Sequence, residues 1–234
     1  MHDLEAIRET IGADRLNLVA HAEGAEIAIR YLIAHQDRVE HVVFYSPTPM
    51  WDDQDFFDRS SRTAARVIPP DPVHSVRQMA ALALGLYSPR TAQAYVSQDE
   101  MTAWADQVVD ESVMVCPGDV TLAPVPERPG YNPYVGLIGD ITDDLPSEQR
   151  KRLGDVFVPA ILLRGECDYV DWNVVEQYWD ALPNLSAYTV ADAGSMLHLS
   201  QPDTVKALIL GFLNGSAMPL KPLSERELRD LLRQ

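Results

Sequence analysis

Apolar positions change period several times along this chain, and each change marks an element. Leu4, Ile7 and Ile11 fall three to four residues apart, one stripe of an amphipathic helix, and Gly12 follows where a left-handed cap is needed. The run RLNLVA (15–20) is short and apolar and suits a buried strand. Helical spacing returns from Glu23, with Ile27, Tyr31 and Leu32 set toward a core, until the charged stretch HQDRVE ends it. HVVFYSP (41–47) shows no polar alternation on either face, as expected of a strand covered on both sides. Helix, strand, helix, strand in this order predicts a parallel sheet with helical crossovers.

The middle of the chain has another grammar. Prolines and acids are scattered between Pro49 and Pro159, with helical patterns in RQMAALALGLY (77–87) and DEMTAWADQVV (99–109). CPGDVTLAPVPERPGYNP (116–133) is punctuated too often for either period and reads as extended loop. Residues 49–158 are therefore expected to form a mostly helical insertion or lid, the alternative being that they belong to the main core. The sheet pattern resumes with a strand in PAILLRG (159–165), a helix over 172–182, a strand in LSAYTVA (185–191) and a helix over 201–213 with Pro202 in its first turn. Ser224 and Glu227 have capping-box spacing ahead of Leu228, Leu231 and Leu232, so residues 223–234 form a terminal helix or docking tail. The core then comprises residues 1–48 and 159–222.

Charge narrows the partners. Against 19 basic residues stand 35 acidic ones, a formal net charge of −16 across 234 residues. Such a surface repels nucleic-acid backbones and anionic membranes. No apolar run reaches bilayer length and the first residues are charged and amphipathic, so neither a membrane span nor a signal peptide is expected, and the default is a soluble, cytoplasmic protein. The two cysteines, Cys116 and Cys167, allow one bridge but no disulfide scaffold, and they are expected to be small buried groups.

In a doubly wound sheet, chemistry collects at the carboxyl ends of the strands. Three such ends are polar: AHAEGA with His21 and Glu23, GECDYVD with Glu166, Asp168 and Asp171, and ADAGSMLHLSQP with Ser195 and His198. Residues 3–48 resemble the nucleophile strand, elbow helix and next strand of an α/β-hydrolase, most closely the proline iminopeptidase-like branch, peptidase family S33. Residues 158–184 resemble the segment that carries the family's acid. Residues 190–215 resemble its closing GH…QP…FL segment. AMPLKP (217–222) resembles a tail of bacterial members tied to natural-product pathways. The likeness covers roughly residues 3–48 and 157–222.

The departures matter more than the match. The elbow motif G-x-S-x-G reads Ala20-His21-Ala22-Glu23-Gly24, so the nucleophile position is Ala22, whose methyl cannot attack a carbonyl. Asp168 stands at the acid position. The family histidine position holds Ser195, and His198 lies three residues further on, where many relatives have a second, non-catalytic histidine. A disarming serine-to-alanine exchange would explain Ala22 but not Ser195. The resemblance therefore implies a hydrolase scaffold with a degenerate triad. Asp168 and His198 are the candidate acid/base pair. Glu23, just beyond the nucleophile position, is either a further base or the negative charge that a helix N-terminus favours. Each residue also has a structural alternative: His198 as a packed histidine, His21 as structural, Cys167 as a buried thiol rather than a nucleophile. His21, Glu23, Asp168 and His198 lack metal-site spacing, so no metal or cofactor is expected. Trp51, Phe56, Phe57, Tyr87, Tyr131 and Tyr134 could line an apolar pocket or form the lid's own core.

Relatives with degenerate triads include tailoring enzymes that move protons instead of hydrolysing, which sets the leading expectation: acid/base chemistry such as epimerisation on a peptide or small natural product. The alternatives are a serine hydrolase or peptidase inactivated at Ala22, and a non-catalytic binding or scaffold protein. The family places about a hundred residues, with several strands, ahead of the segment where this chain begins. RLNLVA is thus expected to want a neighbour, supplied by a further chain or segment carrying the N-terminal part of the sheet, by a homo-oligomer, or by the lid.

Overall fold

The computed structural model describes residues 2–51, 76–97, 99–100, 116 and 145–233. Elements follow in the order α1 (His2–Thr10), β1 (Leu16–Ala22), α2 (Gly24–His35), a 3-10 turn (Gln36–Arg38), β2 (Val39–Pro47), α3 (Val76–Tyr87), α4 (Pro89–Tyr95), α5 (Ser147–Leu153), β3 (Ala160–Gly165), α6 (Trp172–Ala181), β4 (Leu185–Val190), α7 (Leu197–Ser200), α8 (Pro202–Leu213) and α9 (Glu225–Leu231). The strands form one four-stranded sheet, ordered β1-β2-β3-β4, and every pairing is parallel. The helices α3, α4 and α5 fall between β2 and β3. The expected helix over 99–109 and loop over 116–133 lie outside the described residues apart from Asp99, Glu100 and Cys116.

Period-two alternation divides the core in two. Leu18, Ala20, Val42, Phe44, Ala160, Leu162 and Ala187 face a layer built from α2, α5, α6 and α9. Val43, Ile161, Leu163, Tyr188 and Val190 face α7 and α8 through Leu197, Val205 and Leu208. Leu145, Leu153, Val156 and Val158 belong to the first of these clusters, so the stretch before β3 packs with the sheet. Two buried tyrosines tie elements together: Tyr31 donates from α2 to Glu5 on α1 at 2.6 Å, and Tyr178 donates from α6 to the Thr48 carbonyl at 3.0 Å.

The two sheet edges differ. Beyond β4, the Leu223 N–H donates to the Ala187 carbonyl at 2.7 Å, so the proline-bearing tail covers that edge. Ser224 and Glu227 then close both arms of the capping box that opens α9. At the other edge β1 is only half covered: Val19 is 49% exposed, and Ile27, expected in the core, is 48% exposed. Of the apolar stripe of α1, Leu4 packs against the core, whereas Ile7 is 55% exposed and Ile11, just past the helix, is 64% exposed. Among the described residues no helix is long and apolar enough to cross a membrane.

The one bridge that the two cysteines allow is formed, and Cys167 is only partly buried where a small buried group was expected. Cys116 and Cys167 are joined in a disulfide. While that bond is intact Cys167 is no nucleophile.

Candidate active site

The bend at the mouth of β1 is real in the backbone. Ala22 adopts φ +47°, a left-handed conformation costing an L-residue roughly 1–2 kcal/mol, and α2 starts two residues later. Ser46, at the end of neighbouring β2, adopts φ +43°. Left-handed non-glycine residues at two adjacent strand ends mark this edge as the place where local strain is stored.

Three rings gather there. His21 stacks on Tyr45 with centroids 4.4 Å apart and planes 15° from parallel. His198, on α7, meets His21 edge-on at 6.0 Å and Tyr45 at 5.8 Å. Burial pushes the His21 pKa below the usual histidine value, and a hydrogen bond to the Ser195 backbone and the charge of Glu23 partly offset it. His21 is therefore a neutral imidazole at neutral pH, able to accept a proton. Burial raises the Tyr45 phenol, which stays protonated. Glu23 is exposed and occupies the N-cap of α2 without a side-chain cap bond. Its charge acts on His21, and burial, then the charges of Asp168 and Glu23, push Tyr169 up to about 12.

Asp168 is organised differently. The β3–α6 loop is wound around the buried Arg164 guanidinium, which donates to the carbonyls of Gly165 at 2.8 Å, Asp168 at 3.0 Å and Val170 at 2.8 Å, and stacks 3.9 Å from the Trp172 ring centroid. Asp168 is 1% exposed. Its Oδ1 accepts from the Val170 N–H at 3.0 Å, while Oδ2 is buried without a hydrogen-bond partner. Burial raises this carboxyl, opposed by the Arg164 charge, the Val170 N–H and the Ser46 hydroxyl. The Ser46 oxygen is also buried without a closed hydrogen bond, so Ser46 and Asp168 are neighbours that influence each other without bonding.

The structure thus brings His21, His198 and the Ser195 backbone to Ala22's edge of the sheet, and it brings Asp168 to Ser46. Asp168 and His198 share no hydrogen bond. Ser195 is buried. Of the expected pocket aromatics, Trp51 packs against the main core, Tyr87 is exposed, and Phe56, Phe57, Tyr131 and Tyr134 lie outside the described residues. Among the described residues no group of three or more metal-ligating side chains converges. Sequence reasoning missed Arg164, Tyr45 and Ser46. Arg164 left a signal, a cation inside the apolar run AILLRG; Tyr45 and Ser46 looked like ordinary strand-end residues.

No protein-family model matches the chain. It is similar to abhydrolase domain-containing protein abhd-5.2 of Caenorhabditis elegans, 21% identical over 223 residues, which are 94% of this chain and 48% of that protein. The chain therefore spans about half the length of this curated relative. Among solved structures it resembles MenH from S. aureus, with TM-score 0.54, 19% identity and coverage of 91% of this chain and 73% of that one. It also resembles proline iminopeptidase of Mycobacterium smegmatis, with TM-score 0.53, 14% identity and coverage of 91% and 69%. At these identities the likeness establishes the fold. The chain carries an α/β-hydrolase fold whose described sheet holds four parallel strands.

Proposed function

We propose that this chain is a non-hydrolytic acid/base enzyme on an α/β-hydrolase scaffold, acting on a peptide or small-molecule substrate by proton transfer such as epimerisation. The observation that carries the reading is a sharply bent elbow without a nucleophile, flanked by two imidazoles. His21, held neutral by burial, is assigned the base. His198, exposed beside it, is assigned the exchange of protons with substrate and solvent. Asp168 is assigned to holding the Arg164-centred loop rather than to polarising His198, and Glu23 to tuning His21. Solvent deuterium entering the α-carbon of a panel of N-acetyl dipeptides, and its loss in His21→Asn and His198→Asn, is the direct test. Exchange undiminished by both changes removes the assignment.

The second reading, a serine hydrolase of the proline iminopeptidase-like kind disarmed at Ala22, is favoured by one feature: alanine gains nothing from φ +47°, whereas a nucleophile at such a turn is exposed. Ala22→Ser separates the two. Under the first reading the restored serine stays unlabelled by a fluorophosphonate, because Ser195 stands where the base belongs and His198 is not held by Asp168. Stoichiometric labelling would establish the second.

A further inference from the structure

The Cys116–Cys167 bond sits where it can do more than stabilise. Cys167 immediately precedes Asp168, and its N–H donates to the Ala193 carbonyl at 3.0 Å. Cys116 Sγ lies 3.8 Å from that same carbonyl. The bond therefore meets the acid loop and the β4–α7 loop, which leads to Ser195 and His198, at one point. Room there is scarce: a Cβ on Gly165 would come within 2.3 Å of the Ala193 and Gly194 carbonyl oxygens. Around the junction the Glu166 N–H donates to the Val190 carbonyl at 2.9 Å, and the Asp192 N–H donates to the Glu166 side-chain Oε2 at 3.2 Å. The two cysteine residues are not equally exposed. Cys116 is 8% exposed, whereas Cys167 is only partly buried.

We propose that Cys116–Cys167 is a thiol–disulfide exchange site for low-molecular-weight thiols of the glutathione class, with Cys167 the sulfur attacked. The reaction balances without another reagent. A thiolate attacks Cys167 Sγ, the bond to Cys116 breaks, and Cys116 leaves as a thiolate that takes a proton from solvent. A second thiol removes the adduct as the low-molecular-weight disulfide. In reverse, Cys116 thiolate attacks the mixed disulfide at Cys167 and expels the small thiol. An adduct on Cys167 sits on the residue whose N–H bonds the Ala193 carbonyl, so it loosens the tie between the acid loop and the β4–α7 loop. Redox state thereby sets the geometry of the strand-end loops, whatever reaction they serve.

The test uses the full chain in native buffer. Reduced glutathione should cleave the bond while near-ultraviolet circular dichroism persists, and acid-quenched peptide mapping should find the transient adduct on Cys167. The Cys116→Ser variant, treated with oxidised glutathione, should hold a stable adduct at Cys167. Cys167→Ser should modify far more slowly at Cys116. Amide exchange at Cys167 and Val170 should accelerate about tenfold or more on reduction. Cleavage that requires denaturant, an adduct placed first on Cys116, two free thiols in the untreated protein, or unchanged amide exchange would each overturn the proposal. Should Cys116→Ser fold poorly, the urea dependence of wild-type reduction decides: exchange from the native state is insensitive to low urea, and exchange through unfolding is not.

Discussion

Gly165→Ala tests the arrangement of the candidate site more directly than any change to a polar group. Gly165 ends β3 opposite the β4–α7 loop, and a methyl there would approach two backbone oxygens, Ala193 O and Gly194 O, at 2.3 Å. A carbon–oxygen contact settles at about 3.3–3.6 Å, so those carbonyls must retreat by about 1 Å. They are backbone and cannot rotate away. The Ala193 carbonyl is also the acceptor for the Cys167 N–H, so retreat stretches that hydrogen bond. Overpacking of this kind costs typically 1–3 kcal/mol, and losing the bond adds about 0.5–1.5 kcal/mol. The expected loss is about 2–4 kcal/mol, a large share of a stability of 5–15 kcal/mol. In urea unfolding the midpoint should fall with the slope unchanged. The loop displacement should also carry the Ser195 backbone away from His21, removing the hydrogen bond that holds its pKa up, so the His21 titration followed by NMR should move further down. A variant within about 0.5 kcal/mol of wild type, with His21 titrating as before, would mean that β3 and the β4–α7 loop do not meet this way.

Three further outcomes follow from other parts of the site. The folded-state pKa of Asp168 is raised above its unfolded value near 3.9, so the stability linked to this group is fully present below the unfolded pKa and is lost as pH rises through the folded one. Asp168→Asn should therefore leave acid stability unchanged and raise stability at neutral pH, and parallel stability–pH curves for the two proteins would contradict this. Ala22→Gly should stabilise by about 0.5–1 kcal/mol, the relief of left-handed strain of roughly 1–2 kcal/mol less the entropy glycine returns to the unfolded chain; destabilisation in thermal or urea melts would place Ala22 in another conformation. Val19→Lys puts a charge on the bare β1 edge, so self-association measured by light scattering should drop relative to wild type, and two identical monomers would show that this edge needs no cover.

The sheet was legible because its strands obey simple physics: short apolar runs bounded by polar turns, alternating with helical spacing. All four strands, the terminal capping box and the bend at Ala20–Gly24 follow from local pattern. What escaped depends on tertiary proximity. Ile27 has the spacing of a core residue and lies in the open because its helix meets nothing on that side among the described residues. Asp168 and His198 occupy the ends of neighbouring strand segments, yet period and spacing carry no information about depth. Arg164 draws the acid loop inward by bonding its carbonyls, and the carboxyl goes with the loop instead of turning toward the imidazole. A cation inside an apolar strand needs acceptors, and when no carboxylate bonds it the backbone supplies them. That single requirement accounts for the buried acid, the unpartnered Oδ2 beside Ser46, and the absence of a hydrogen bond between Asp168 and His198. Replacing Arg164 should consequently disturb Asp168 and Trp172 before it disturbs His21.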